Sequence, residues 1–219
     1  MEEIKRTKFN ISILGEARVG KTSICSVFLG KGFNNLTLQT VGLENTLVPV
    51  KFEGKKYKFK IFDTAGQERY RAIAKSTITL ADGFLLVYAV DDKKTFQPLE
   101  EWIKSIKENC DINRKVLFLV GNKIDKENRI ITNEEALSFA NAHNIQYFET
   151  SAKDGTGIKE IFNLIFEEIY KKFKQIENPD EAENGQNNSK ENTSPTIILG
   201  EEEINKKNKK DKGKKEGCC

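Results

Sequence analysis

Two hydrophobic rhythms organise the first 174 residues of the chain. Continuous apolar runs at Phe84-Leu85-Leu86-Val87-Tyr88-Ala89-Val90 and Val116-Leu117-Phe118-Leu119-Val120 are the mark of parallel strands covered on both faces. Lys8 to Leu14, carrying Phe9, Ile11, Ile13 and Leu14, reads as a third buried strand, and Ile145 to Phe148 as a last short one. Residues 46–53 and 57–62 instead alternate apolar with polar around Gly54-Lys55, which predicts a hairpin. Pro49 lacks a backbone donor, so the first hairpin strand is expected at the sheet edge. Helical spacing appears between these runs: Ile24, Val27 and Phe28; then Phe96, Leu99, Trp102, Ile103 and Ile106; then Asn133 to Ala142, with Thr132 or Asn133 as cap and Glu134 and Glu135 in the first turn. A last amphipathic helix carries Ile158, Ile161, Phe162, Ile165, Phe166, Ile169 and Phe173 on one face. Residues 30–45 keep no steady period, and a polar stretch of that length is expected to be a functional loop. Strand–helix alternation with one hairpin predicts an α/β doubly wound sheet of six strands, mostly parallel with one antiparallel edge strand, and helices on both faces. Ligands of such sheets bind beyond the carboxyl ends of the strands.

The polar segments that follow the strands carry the chemistry. Gly15-Glu16-Ala17-Arg18-Val19-Gly20-Lys21-Thr22-Ser23 fits the phosphate-binding loop pattern G-x-x-x-x-G-K-[ST], with a strand before it and a helix after it. Gly15 and Gly20 let the backbone turn successive N–H groups toward phosphates, and the helix N-terminus adds to that field. Lys21 would reach the β- and γ-phosphates, and Thr22 would offer its hydroxyl to Mg²⁺. Ala17 and Arg18 fill variable positions of the loop; Arg18 either reaches phosphate or stays solvated. Asp63-Thr64-Ala65-Gly66-Gln67 follows Ile61-Phe62: Asp63 is placed to hold a Mg²⁺-bound water, Gly66 to offer its N–H to the γ-phosphate and Gln67 to orient an attacking water. Asn122-Lys123-Ile124-Asp125 follows the 116–120 strand. A carboxylate there accepts two hydrogen bonds, from guanine N1–H and its 2-amino group, whereas adenine offers neither donor. Thr150-Ser151-Ala152-Lys153 completes the base pocket, with the Ala152 N–H meeting guanine O6. In isolation each short motif is an ordinary turn; their order, each after a strand, points to a guanine nucleotide.

Composition adds a second region. The net charge of +3 over 219 residues is too small to suggest nucleic acid. Cys25 and Cys110 read as small core or helix residues in a reducing compartment, and no apolar run approaches transmembrane length. From Gln175 the composition changes. Residues 177–203 hold eight acidic side chains against Lys190 alone, a disordered linker interrupted by Ile197-Ile198-Leu199, which is either a short docking segment or an incidental cluster. Seven lysines then crowd residues 206–215, just before the terminal Cys218-Cys219, and read as a partner for anionic lipid. The domain division is 1–174 and a tail of 175–219.

Residues 6–174 resemble a small GTPase of the Ras superfamily and, within it, a Rab. The resemblance rests on Lys60-Ile61-Phe62 running into Asp63-Thr64-Ala65-Gly66-Gln67-Glu68-Arg69-Tyr70, on Leu86-Val87-Tyr88 and on the terminal Cys-Cys. It implies the phosphate-loop GTPase fold, binding of GTP and GDP with Mg²⁺, and slow hydrolysis. Thr40 matches the threonine that ligates Mg²⁺ in the GTP state, and Phe33 the aromatic that packs on the guanine. Residues 33–45 and 64–77 would be the two switches. Gln67 and Lys21 would serve catalysis, and Ala17 is small enough to leave Gln67 room. Geranylgeranyl groups on Cys218 and Cys219 would tether a monomer to the cytoplasmic face of an intracellular membrane, with a cytosolic pool held by a GDP-dissociation inhibitor or escort protein. Partners would be an exchange factor, a GTPase-activating protein and effectors in vesicle transport. One departure concerns them: family members usually place aromatics at the positions of Asn45, Phe62 and Thr77, an exposed patch that many effectors read, and only Phe62 is aromatic here. A GTP-binding interaction protein with negligible hydrolysis is the alternative, and an ATP-using phosphate-loop kinase is disfavoured by Asn122 to Asp125.

Overall fold

A computed structural model describes residues 6–34, 43–64, 71–177 and 195–197, the side chains of 71–74 excepted. The chain runs through β1 (Lys8–Leu14), α1 (Lys21–Phe28), β2 (Leu43–Phe52), β3 (Lys55–Thr64), α2 (Arg71–Leu80), β4 (Gly83–Ala89), α3 (Lys93–Phe96), α4 (Leu99–Asn109), β5 (Val116–Asn122), α5 (Asn133–Ala142), β6 (Gln146–Thr150), α6 (Ile158–Glu177) and β7 (Thr196–Ile197). The strands form one sheet in the order β6-β5-β4-β1-β3-β2-β7. β6, β5, β4, β1 and β3 pair in parallel; β2 runs antiparallel to β3, and β7 antiparallel to β2. The expected six strands are therefore seven. The extra one comes from the tail, where Ile197 finds an apolar neighbour in the core around Val50.

Each face of the sheet has its own core. Phe9, Ile11 and Ile13 of β1 and Val48, Val50 and Phe52 of β2 pack under α1 and α6, joined by Phe162, Ile165, Phe166 and Ile169. Leu14, Phe84, Leu86 and Tyr88 point to the other face, under Ile78 of α2, Leu99, Trp102, Ile103 and Ile106 of α4 and Ala136 and Ala140 of α5. This two-sided burial explains why β4 and β5 are apolar at successive positions rather than alternate ones. Aromatic rings tie α6 to the hairpin: Phe52 and Tyr170 stack with centroids 4.4 Å apart, and Phe28 stacks on Phe162 at 3.8 Å.

Local chemistry sets the ends of the elements. Thr132 caps α5, its hydroxyl accepting the Glu135 N–H at 3.1 Å. Pro98 separates α3 from α4, so the single helical rhythm from Phe96 to Ile106 becomes two helices. α6 continues three residues beyond 174, and Thr196–Ile197 of the tail pairs with β2. Helix α2 is an addition: only Ile73, Ile78 and Leu80 mark it in sequence. Both Cys25 and Cys110 are free thiols, Cys25 within the α1 core and Cys110 at the end of α4.

Candidate functional site

The carboxyl ends of β1, β3, β4, β5 and β6 all open onto one edge, and the motif residues of the described chain gather there. Leu14 lies beside Leu86 and Ile13 beside Asp63, while Asn122 ends β5 between Ala89 and Thr150. The phosphate-binding loop bends through three positive φ angles, at Gly15 (133°), Arg18 (64°) and Gly20 (98°). Glycine is required at two of them by close approach. A Cβ on Gly15 would stand 2.1 Å from the Val87 carbonyl oxygen, and one on Gly20 2.4 Å from Asn122 Nδ2. The loop thus sits directly on β4 and on the end of β5.

Asn122 is the hub. Its Nδ2 donates to the Val19 carbonyl at 2.7 Å, and its Oδ1 accepts from the Thr150 hydroxyl and the Ala152 N–H, each at 3.2 Å. One buried amide thereby joins the phosphate loop to the 150–153 segment. The Ala152 N–H, expected to face guanine O6, is directed to Asn122 in this structure. Asp125 is shaped from the same side: Ser151 Oγ donates to its Oδ1 at 2.8 Å, and Lys153 Nζ stands 3.8 Å from Oδ2. Lys123, at φ 70°, pairs its ammonium with Asp91 at 3.5 Å. Phe33 is 38% exposed at the mouth of the loop that follows α1.

Charge is concentrated where phosphates would lie. Lys21 is buried, its ammonium donating to the carbonyls of Gly15 (2.9 Å) and Glu16 (2.7 Å). Burial pulls its pKa down to about 8, against the opposing pull of Asp63 and Glu16. An anionic group at the loop would restore the full charge. Burial likewise raises the Asp63 carboxyl, opposed by a hydrogen bond from the Thr22 hydroxyl and by Lys21. Asp63 Oδ1 is buried with no hydrogen-bond partner. A lone buried carboxylate oxygen beside a threonine hydroxyl fits a hard cation that takes its remaining ligands from phosphate and water. No cluster of three acidic, histidine or cysteine ligands exists among the described residues.

Two features were not legible in the motifs. Trp102 on α4 donates its indole N–H to Glu16 Oε1 at 3.0 Å, pinning the second residue of the phosphate loop from outside it. Below the base loops, Glu149 accepts from Arg129, from Tyr147 (2.6 Å) and from Asn133 (3.0 Å), and the Tyr147 hydroxyl meets that of Tyr88 at 3.0 Å. Gly121 makes room, since a Cβ there would come within 2.7 Å of the Tyr88 oxygen. A buried tryptophan seeks a partner for its N–H, and that rule was the available signal for Trp102. Thr40, Gly66, Gln67, Cys218 and Cys219 lie outside the described residues.

The three positions of the usual effector patch look different from one another. Asn45 is exposed and pairs across the hairpin with Phe62. Phe62 is only 5% exposed, with the Lys60 ammonium 4.9 Å above its ring. Thr77 is buried at 1%, its hydroxyl 2.8 Å from that of Ser12. The threonine therefore serves a buried polar pair rather than an exposed surface.

Comparison with known proteins agrees with this geometry. The Ras family matches residues 10–171. The chain is 40% identical over 162 residues to the Ras-related protein Rab-13 of Canis lupus familiaris, covering 74% of this chain and 79% of that one. Over the same span it is 39% identical to the Rab-13 proteins of Mesocricetus auratus and Bos taurus. Family, fold and nucleotide loop converge: the chain belongs to the Rab small GTPases of the Ras family, which bind GTP and GDP and answer to protein regulators and effectors.

Proposed function

We propose that this protein is a Mg²⁺-dependent GTP switch that hydrolyses GTP slowly and, as a lipid-anchored protein on a cytoplasmic membrane face, regulates vesicle trafficking. The observation that carries the reading is the Asn122 hub, which fixes the phosphate loop and the base loops in one rigid frame. In this reading Gly15, Ala17, Arg18, Val19, Gly20, Lys21, Thr22 and Ser23 wrap the phosphates, and Gly66 donates to the terminal one. Phe33, Asn122, Lys123, Asp125, Ser151, Ala152 and Lys153 form the base pocket. Thr22, Asp63 and Thr40 would hold Mg²⁺, which supplies charge neutralisation between phosphate oxygens.

Hydrolysis requires little covalent work from the protein. Gln67 orients the attacking water, and Lys21 offsets the charge that develops on the phosphate oxygens. Thr40 and Gly66 would hold the two switch segments only while the terminal phosphate is present, so its loss releases both. A GDP-dissociation inhibitor or escort protein would bury lipids on Cys218 and Cys219 in the inactive state. Exchange factor, activating protein and effectors would read the switches through a surface in which Phe62 and Thr77 are withdrawn.

The test is single-turnover phosphate release from purified, GTP-loaded protein, comparing wild type with Gln67→Leu. Slow release that the substitution suppresses is expected. Equal retention of GTP by both proteins would replace this reading with that of a GTP-binding interaction protein without hydrolysis, or of an enzyme silent without its activating protein.

A further inference from the structure

The nucleotide loops leave the carboxyl ends of the parallel strands, and a cavity of about 410 Å³ lies at the other end of the same sheet. Val116 opens β5, Asp82 stands just before β4 and Phe9 is the second residue of β1; all three line it. The end of α4 and the last turns of α6 close it from either side, through Cys110 and Phe173. Its volume is within the range of pockets that take small organic molecules. Phe9, Val116 and Ile169 are buried and give it an apolar floor. Phe173 extends that floor, its ring edge-on to Phe9 with centroids 5.0 Å apart. Ile176, on the last turn of α6, adds an exposed apolar side chain to the lining.

Charge around this floor is unbalanced. Arg6, Arg114, Lys115 and Lys172 line the cavity against two carboxylates, Asp82 and Asp111. Asp82 is already engaged, by the Arg6 guanidinium at 2.6 Å and the Asn10 N–H at 2.9 Å. Asp111 accepts the Asn113 N–H at 3.1 Å and pairs with no cation among the described residues. Arg114, Lys115 and Lys172 likewise form no ion pair among the described residues. The two lysines bond only to main-chain carbonyls, Lys115 to Ala81 at 2.5 Å and Lys172 to Lys115 at 2.6 Å. An ammonium carries three donors, so each has two to spare. Both lysines are half-buried. Burial pulls the Lys172 pKa down, against the opposing pull of Glu168 and Asp111. An anion beside such a partly desolvated cation restores its charge and makes a stronger bond than a neutral acceptor does.

We propose that this cavity binds a small amphiphile, an apolar body bearing one anionic headgroup. The body lies against Phe9, Val116, Ile169 and Phe173, and the head meets Lys115 and Lys172 with Arg114 beside them. Neither half of the site is satisfied by a simpler ligand. A bare inorganic anion leaves the apolar floor in water, and a neutral apolar molecule leaves the ammoniums without a counter-charge. Because the site stands at the strand starts, its ligand and the nucleotide occupy opposite ends of the sheet and do not compete for space. This inference is independent of the hydrolysis and trafficking reading.

Titration of ¹⁵N-labelled, full-length, GDP-bound protein with octanoate, 1-octanol and inorganic phosphate tests it, read from main-chain amide shifts. Octanoate is expected to shift the amides of Cys110, Val116 and Phe173 saturably while those of Gly20 and Lys21 stay in place. It is expected to bind about tenfold or more tightly than either 1-octanol or phosphate. Lys172→Met keeps the aliphatic stem and removes the charge. It should weaken octanoate about tenfold or more and leave 1-octanol unchanged. Arg114→Gln, at an exposed position whose side chain makes no hydrogen bond among the described residues, should weaken octanoate about threefold. Unchanged amide shifts in β1 and β4 report that each variant is folded. Octanoate that shifts none of the three cavity amides overturns the proposal. So does octanoate that binds no more tightly than 1-octanol or phosphate, or that binds wild type and both variants equally.

Discussion

Asp125 shows how one side chain is prepared for base selection. Its carboxylate is held by the Ser151 hydroxyl on one oxygen and approached by Lys153 on the other, so it is oriented from two sides. A carboxylate in that position only accepts, and guanine offers two adjacent donors. Asp125→Asn places an amide donor among them and leaves one guanine donor without a partner. GTP affinity is expected to fall by about 10²–10³-fold while a xanthine nucleotide, with a carbonyl at C2, gains; competition between the two triphosphates measures both shifts. Trp102 acts at one remove. Its N–H reaches Glu16 at 3.0 Å and steadies the start of the phosphate loop. Trp102→Phe keeps the buried ring and removes this bond, a loss of about 1 kcal/mol at the loop. Release of fluorescent GDP is expected to quicken several-fold with little change in the melting temperature; a lowered melting temperature without faster release would assign Trp102 to packing alone.

Elements differ in how openly the sequence declares them. Strands β1, β4 and β5 are legible because burial on both faces leaves no polar position to blur the run, and the site motifs are legible because each is contiguous and follows such a strand. Contacts between distant residues are not. Glu16 and Trp102 are 86 positions apart, and Tyr88 and Tyr147 59, so no local pattern links them. β7 hides in another way, as two residues inside a stretch whose composition reads as linker. The Tyr88–Tyr147–Glu149–Arg129 network is the energetic cost of that blindness to distance, because it ties β4, β6 and the segment before α5 beneath the base loops. Burial pushes the Glu149 carboxyl up, but bonds from Arg129, Tyr147 and Asn133 outweigh it and hold the pKa below the ordinary value. A carboxylate depressed on folding stabilises the protein above the usual carboxylate pKa and loses that contribution as pH falls through the lower, folded value. Glu149→Gln is therefore expected to cost about 1–2 kcal/mol at neutral pH, or about 2–8 °C in Tm, and to flatten the acid limb of stability. Chemical denaturation of both proteins between pH 7 and about pH 3 reads the difference.

At the scale of the whole molecule, charge is partitioned by region. Seven lysines and Asp211 give residues 206–215 a charge of +6, residues 1–174 carry +5, and residues 175–205 with Glu216 carry −8, for +3 in all. No helix among the described residues is long and apolar enough to cross a membrane. If the protein is held at a membrane, no described helix supplies an apolar span, and the densest positive charge available to anionic lipid lies in residues 206–215. A lysine near an anionic surface contributes about 1 kcal/mol, and lipid chains about 0.8 kcal/mol per buried CH₂. The lipid term is indifferent to salt, whereas the lysine term falls as the screening length shortens from about 10 Å at 0.1 M to about 3 Å at 1 M. These dependences separate the two contributions. Full-length lipidated protein is expected to bind phosphatidylserine-containing vesicles less as salt rises, and to bind neutral phosphatidylcholine vesicles independently of salt. Replacing the seven lysines with glutamine should reduce binding to the anionic vesicles by about tenfold or more and remove the salt dependence. Replacing Cys218 and Cys219 with serine should leave binding that salt abolishes. Sedimentation of both variants with the two vesicle types measures the split, and salt dependence that survives loss of the lysines would move the electrostatic contact to the folded surface.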